Sequence, residues 1–137
     1  MDELMEVFPE APSAEEYNAL RIAAGLSPKD LAGARIGLAH SVHIVTLRSD
    51  DGQLVGMGRI IGDGGCFYHI VDIAVHPSRQ GRGYGKLIMK ALMDYLDATA
   101  HPGSYVSLIA DVPADQLYRK FGFDYTQPKS VGMYRRY

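Results

Sequence analysis

A loop with three regularly spaced glycines is the feature of the sequence most suggestive of chemistry. Gly81, Gly83 and Gly85 lie between a segment typical of a strand and one typical of a helix. Glycine lets backbone N–H groups approach an anion, and the start of a helix adds partial positive charge. Lys86 is not followed by the serine or threonine of a Walker loop, and the glycine spacing is not that of dinucleotide-binding loops. The loop therefore predicts a phosphate site of another kind.

The pattern around this loop predicts the elements that must position it. Segments rich in β-branched residues, separated by turn signals, predict an antiparallel meander before the loop. Apolar residues at i, i+3 and i+4 predict a helix after it. Further along the chain we predict a fourth strand, a short helix and two closing strands. The predicted strands are residues 42–48, 54–61, 67–75, 105–110, 123–126 and 131–136, and the short helix is residues 114–121.

Two helices are predicted before the meander. Ser13 is a capping residue followed by acidic residues, and Gly25 ends the first helix. Pro28 is expected in the first turn of the second helix. The whole order predicts an α+β fold on one mixed sheet. Gly56 and Gly58 lie inside a predicted strand, where glycine indicates a bulge or a close approach of a substrate to the backbone.

Length and composition exclude several classes of protein. The 137 residues predict one domain over residues 1–137, and the net charge of −2 argues against a nucleic-acid partner. No apolar run approaches the roughly 18 residues that span a membrane, and no histidine spacing is typical of a metal site. The single cysteine, Cys66, excludes an internal disulfide and is expected to be a small buried residue. With an acidic N-terminus unlike a signal peptide, these features predict a cytoplasmic protein with no membrane partner.

Two motifs resemble the signatures of the GNAT superfamily of N-acetyltransferases. Residues 75–85, Val-His-Pro-Ser-Arg-Gln-Gly-Arg-Gly-Tyr-Gly, resemble its acetyl-CoA signature. Residues 114–123 resemble its A-x-x-L-Y-x-K-x-G-F segment, and a helix and a strand separate the two motifs as in the family. The resemblance covers residues 42–126, and residues 130–134 resemble the tail of small bacterial members. It implies a three-layer fold with a mixed, mostly antiparallel sheet, splayed between its central strands and flanked by helices.

The resemblance implies acetyl-CoA as cosubstrate and no metal. The pantetheine arm would lie between the strands at residues 67–75 and 105–110, paired with backbone groups of Ile73, Ala74 and Val75. The Val75 N–H would donate to the thioester carbonyl. Asp111 stands where many members have a pantetheine-binding asparagine, and an ionised aspartate cannot donate that hydrogen bond. The residues expected at the pyrophosphate are Arg79, Gln80, Gly81, Arg82, Gly83, Tyr84, Gly85 and Lys86.

Three residues are candidates for proton transfer. The resemblance places Tyr118 beside the coenzyme sulfur, where its O–H can protonate the departing thiolate. Transfer from a phenol of ordinary pKa near 10 to the thiolate of a thiol of pKa near 8.5 is uphill by only ~2 kcal/mol. An ammonium pKa near 10.4 leaves little free amine at neutral pH, so a base is useful. His69, Asp72 or a water chain could serve.

Strand alternation separates the two candidate bases. His69 should share a face with Val71 and Ile73, and Asp72 should point to the opposite face unless a bulge resets the alternation. Each of these residues also has an alternative interpretation. Tyr118 could be a core tyrosine, and His69 and Asp72 could be strand residues with structural hydrogen bonds.

The expected acceptor is the primary amine of a small molecule, amino acid or peptide. Its site should be lined by the N-terminal helices, Phe67, Tyr68 and the segment that contains Met133. A non-catalytic acyl-CoA-binding or sensor module on the same fold is the alternative function, and a partner-binding domain is a third. The resemblance also makes a homodimer possible.

Overall fold

The computed structural model describes residues 5–137, so residues 1–4 of the acidic N-terminus lie outside the described part. The elements in chain order are β1 (Val7–Phe8), α1 (Ala14–Ala23), α2 (Leu31–Ala39), β2 (His43–Arg48), β3 (Leu54–Gly62), β4 (Phe67–Val75), a 3-10 turn (Pro77–Arg79), α3 (Tyr84–Thr99), β5 (Tyr105–Leu108) and α4 (Asp115–Arg119).

The strands form one five-stranded sheet in the order β1-β2-β3-β4-β5. The first three neighbouring pairs are antiparallel, and β4 and β5 are parallel. A core that includes Ile88 and Leu92 of α3 covers one face of the sheet, and a second core that includes Tyr17 and Leu20 of α1 covers the other. The predicted α+β fold with a mixed sheet and flanking helices is therefore confirmed.

The N-terminal helices begin at side-chain caps. The Ser13 hydroxyl accepts from the Glu16 N–H at 3.1 Å, and the Glu16 carboxylate accepts from the Ser13 N–H at 3.0 Å. This capping box confirms the predicted start of α1. The second helix begins later than the predicted Pro28, because Asp30 caps it by accepting from the Gly33 N–H at 2.9 Å. Strand β1 was not predicted, since two residues show no periodicity.

The two glycines inside β3 allow α3 to pack closely on the sheet. A Cβ on Gly58 would lie 2.6 Å from Cγ2 of Ile88 and 3.1 Å from Cδ1 of Leu92. A Cβ on Gly56 would lie 3.0 Å from Cδ1 of Leu47. The close approach at these positions is therefore that of α3 and not the predicted approach of a substrate, and a bulge in β4 lies opposite Gly58.

The C-terminal part of the chain departs most from prediction. Strand β5 ends at Leu108, and neither predicted closing strand forms among the described residues. A strand needs a hydrogen-bonded neighbour, and the segment from 131 to 136 pairs with none in this structure. Met133 is 88% exposed there. Cys66 is exposed rather than buried, because it lies in the turn before β4.

Candidate active site

The gap between β4 and β5 forms a cleft. Residue pairing runs from Phe67 opposite Tyr105 to Ile70 opposite Leu108 and then stops, although β4 continues to Val75. The sheet is therefore splayed where the resemblance implied. The cleft has a volume of about 530 Å³, which is within the usual range for small-molecule sites.

We divide the residues that line the cleft into two halves by their order in the chain. The β5 half comprises those from Ile73 onward: Ile73, Ala74, Val75, Gln80, Leu108, Ile109, Asp111, Ala114 and Tyr118. The α1 half comprises those up to Asp72: Tyr17, Arg21, Ala24, Leu26, Lys29, Arg59, Ile61, His69, Ile70, Val71 and Asp72.

Backbone groups at the end of β4 are directed into the gap. The His76 N–H donates to the Val55 carbonyl at 2.8 Å, across the ladder with β3. Successive residues of an antiparallel strand direct their N–H and C=O groups to opposite sides. The groups of Val75 therefore point away from β3, and its carbonyl accepts from Nε2 of Gln80 at 3.0 Å. This leaves the Val75 N–H on the side of the cleft where the sequence prediction needs it.

The glycine-rich loop leaves the start of α3 open to an anion. Gly81 and Gly83 have left-handed φ values of 78° and 83°, and a Cβ on either would meet no atom within 4 Å. Gly83 is the N-cap of α3 and provides no side-chain hydrogen bond. The first N–H groups of α3 thus keep their partial positive charge for a ligand. This geometry suits a pyrophosphate.

The other loop residues differ in how they could contact a ligand. Arg82 and Lys86 are exposed, and Arg79 is half-buried. Tyr84 is only 7% exposed, with its side chain in the core, so it can offer only its backbone N–H. A Cβ on Gly85 would be 3.6 Å from Cδ2 of Leu117, an ordinary contact between α3 and α4.

Tyr118 projects from α4 as a half-buried side chain that lines the cleft. Burial raises the pKa of its hydroxyl, and the negative charge of Asp111 raises that pKa further. Tyr118 is therefore a protonated phenol at neutral pH. Asp111 itself is exposed and also lines the cleft.

A β-bulge resets the alternation of β4 between the two candidate bases. Met57 lies opposite Ala74, but Arg59 lies opposite Val71, so β4 has one extra residue. Asp72 takes a left-handed φ of 61° at this point, a conformation that aspartate tolerates better than most residues. The bulge that the sequence left open as the exception to alternation is therefore present, and Asp72 does not point to the face opposite His69. His69, Val71 and Asp72 all line the cleft.

Asp72 is the centre of a buried ion cluster. Its carboxylate accepts from Nη1 of Arg21 at 2.5 Å, from Nε of Arg59 at 2.7 Å and from the Tyr17 hydroxyl at 2.8 Å. The Asp72 side chain is 6% exposed. Burial raises the pKa of Tyr17, and the adjacent Asp72 charge adds to that rise. Sequence reasoning missed Tyr17, Arg21 and Arg59 as members of the site.

His69 has a simpler environment. One ring nitrogen, Nδ1, is 2.9 Å from the Ser107 hydroxyl, which lies opposite it on β5. A histidine held by one ring nitrogen keeps the other for a second partner.

The structure does not bring the predicted acceptor residues Phe67, Tyr68 and Met133 into the cleft. Tyr68 is 3% exposed and packs in the core on the α3 side, because its side chain alternates with that of His69. Phe67 is 65% exposed and packs near Tyr105, at the end of the β4–β5 pairing that is farther from the cleft. Met133 lies in the exposed C-terminal segment.

Within residues 5–137, no three histidine, cysteine, aspartate or glutamate side chains are grouped so that they could hold a metal ion. None of the described helices is both long enough and apolar enough to cross a membrane.

Comparison with known proteins places the chain among acetyltransferases. A family model described as the acetyltransferase (GNAT) family matches residues 2–123. An uncharacterized N-acetyltransferase, ycf52 of Porphyra purpurea, is 34% identical over 102 residues, which cover 72% of this chain and 58% of that protein. The chain thus spans less than two thirds of the length of this curated relative.

Solved structures are similar over almost the whole chain. SA2161 of meticillin-resistant Staphylococcus aureus, described as a protein of unknown function and probable acetyltransferase, is 51% identical with a TM-score of 0.92; the match covers 98% of this chain and 100% of that one. A GNAT family acetyltransferase from Streptococcus pneumoniae, SP0256, shares the fold at 24% identity and a TM-score of 0.77, with 98% of each chain covered. The resemblance inferred from the two sequence motifs is confirmed, and the chain belongs to the GNAT family of acetyltransferases.

Proposed function

We propose that the protein transfers the acetyl group of acetyl-CoA directly to a primary amine while both are bound in the cleft. The amine would belong to a small molecule, an amino acid or a peptide. The observation that carries this proposal is the continuity of the cleft from Val75 and Tyr118 in the β5 half to His69 in the α1 half. The proposed donor to the thioester oxygen, the proposed acid and the proposed base thus line one space.

The β5 half provides the groups that acetyl-CoA would need. Acetyl-CoA supplies the acetyl group as a thioester. The Val75 N–H can donate to the thioester oxygen, where negative charge develops during transfer. The N–H groups from Gln80 to Gly85 can bind the pyrophosphate, and the exposed Arg82 and Lys86 add positive charge. Ile73 and Ala74 would continue the backbone contact along the pantetheine arm.

Tyr118 is the proposed acid. Its raised pKa keeps the hydroxyl protonated until a strong base forms beside it. The same burial disfavours a thiolate. The pKa values of the tyrosine hydroxyl and of the departing thiol are therefore both raised. The phenol gives its proton to the sulfur as the carbon–sulfur bond breaks, and the new carbon–nitrogen bond forms to the amine.

His69, directly or through water, is the proposed base. The contact between its Nδ1 and the Ser107 hydroxyl orients the ring, and Nε2 can then accept a proton from the amine. Asp72 accepts from three donors already. We therefore assign Asp72 the positioning of Arg21 and Arg59 rather than the removal of a proton.

The test measures thiol release from acetyl-CoA with a panel of primary amines. We expect Tyr118→Phe to lower kcat about 100-fold, because general acid catalysis contributes on this scale, with little change in KM for acetyl-CoA. Tyr105→Phe is the matched control, since Tyr105 is 54% exposed and does not line the cleft.

Two results would contradict the proposal. An unchanged kcat in Tyr118→Phe would remove the assigned acid. Binding of coenzyme A without acetylation of any amine would instead indicate the non-catalytic module.

A further inference from the structure

The α1 half of the cleft has an excess of positive charge. Among the described residues that line this half, Arg21, Lys29 and Arg59 are cationic, and Asp72 is the only carboxylate. Arg21 and Arg59 together contact this single carboxylate, and their side chains are only 10% and 14% exposed. Burying two guanidinium groups with one carboxylate is unfavourable unless a further anion is available.

Each arginine retains a donor group for which residues 5–137 provide no acceptor. Arg21 donates through Nε to the Ser27 carbonyl and through Nη1 to Asp72. Arg59 donates through Nε to Asp72 and through Nη1 to Gly37 and Ser41. Within residues 5–137, Nη2 of neither arginine donates a hydrogen bond. Both guanidinium groups also lie near the Tyr17 ring, with their central carbons 5.7 and 6.0 Å from the ring centre.

Lys29 adds a third cation at the edge of the same space. Its backbone pairs with Asn18 through two hydrogen bonds of 2.7 and 2.8 Å, which hold the loop after α1 against that helix. Its side chain is exposed and makes no ion pair with the rest of the described chain. The ammonium group can therefore interact with a molecule in the cleft.

The spacing between this charge and the proposed base suits a compact molecule. His69 lies opposite Ile61, and Arg59 lies opposite Val71, so His69 and Arg59 are diagonal neighbours on adjacent strands. Such neighbours have Cα atoms roughly 7–8 Å apart. An amine at His69 and a charged group at Arg59 would thus be separated by a few bonds.

We propose that the acceptor amine also carries an anionic oxygen group, a carboxylate or a phosphate, which Arg21 and Arg59 bind through their unused Nη2 donors. This inference rests on the proposed acetyl transfer and names the class of its acceptor. Guanidinium groups bind both kinds of oxyanion. The pyrophosphate of the coenzyme would instead be bound at the start of α3, by loop residues that do not line the α1 half.

The test compares matched pairs of amines by thiol release. One arm uses an amino acid and its amide, and the other uses a phosphorylated amino sugar and the unphosphorylated sugar. We expect kcat/KM to be at least about tenfold higher for the anionic member of one pair, as hydrogen bonds to charged groups provide. The arm with the larger ratio identifies the carboxylate or the phosphate.

A surface variant tests the electrostatic origin of the preference without disturbing the buried cluster. Lys29→Gln should lower the ratio of kcat/KM for the anionic amine to kcat/KM for the neutral amine about threefold, as expected for an exposed charge. Lys90→Gln is the control, because Lys90 lies on α3 in an exposed pair with Asp94. Added salt should reduce the Lys29 effect.

The outcomes separate this inference from the function on which it rests. Equal kcat/KM within both pairs, or a preference for the neutral members, would overturn the anionic acceptor while leaving acetyl transfer intact. Absence of acetylation for these four amines and for every other amine of the panel, together with bound coenzyme A, would overturn the proposed function and this inference with it.

Discussion

The two halves of the cleft are built from different parts of the molecule. The β5 half uses backbone groups at the end of β4, which lead through Gln80 into the adjacent glycine loop, with Tyr118 from α4 nearby. The α1 half uses side chains from three separate elements, α1, β3 and β4, joined at Asp72. A backbone site needs only local conformation, whereas a side-chain site needs the whole tertiary fold. The two halves should therefore respond differently to substitution.

The largest effect on stability is expected at the centre of the α1 half. Asp72→Asn leaves two buried guanidinium groups without their counter-charge, and breaking a buried pair in this way typically costs about 3 kcal/mol. Denaturant unfolding would measure the loss. Asp94→Asn is the control, because Asp94 is 62% exposed in its pair with Lys90, and it should cost less than about 1 kcal/mol. Equal losses in the free energy of unfolding of the two variants would show that the Asp72 cluster does not stabilise the fold more than an exposed ion pair does.

A smaller loss of stability is expected where α3 packs closely on β3. Gly58→Ala would place a Cβ 2.6 Å from Ile88, and overpacking of this kind destabilises by about 2 kcal/mol. Gly37→Ala is the control, since its Cβ would meet only Nη2 of Arg59 at 3.7 Å and alanine favours a helix. Calorimetric or denaturant unfolding should therefore show a lower free energy of unfolding for Gly58→Ala and a higher one for Gly37→Ala. A neutral Gly58→Ala would mean that α3 does not require glycine there.

The smallest change in stability is expected in the glycine loop next to the β5 half, where a substitution should affect binding more than folding. Gly81→Ala and Gly103→Ala both place alanine at a left-handed φ, 78° and 84°, with no atom within 4 Å of the new Cβ. Their strain, roughly 1–2 kcal/mol, should be the same. Only Gly81→Ala should weaken coenzyme A binding, by about tenfold in Kd, measured by calorimetric titration. Equal affinities in the two variants would remove the loop from the cofactor site.

The sequence predicted the β5 half because its signals are local. The spacing of Gly81, Gly83 and Gly85 already implies left-handed turns at the start of a helix, and the structure has them at Gly81 and Gly83. The alternating pattern predicted β2, β3 and β4 closely, and the capping residue Ser13 marked the start of α1.

The α1 half could not be predicted in the same way. Arg21 and Arg59 are 38 positions apart in the sequence and meet only because α1 packs across β3. The bulge that turns Asp72 toward them violates alternation, and an aspartate inside a strand was its only local signal. The predicted closing strands failed for a related reason: their pattern suits a strand, but pairing depends on a neighbour that the local sequence does not specify.

The most direct test of the whole account is a calorimetric titration of coenzyme A into the protein without any amine. Because the β5 half is formed by the backbone of the folded chain, we expect binding in the absence of acceptor. At a coenzyme concentration 100 times Kd, this binding should also stabilise the fold by about 2.7 kcal/mol. Saturable binding that Gly81→Ala weakens would match the account, and no binding at millimolar coenzyme A would contradict it.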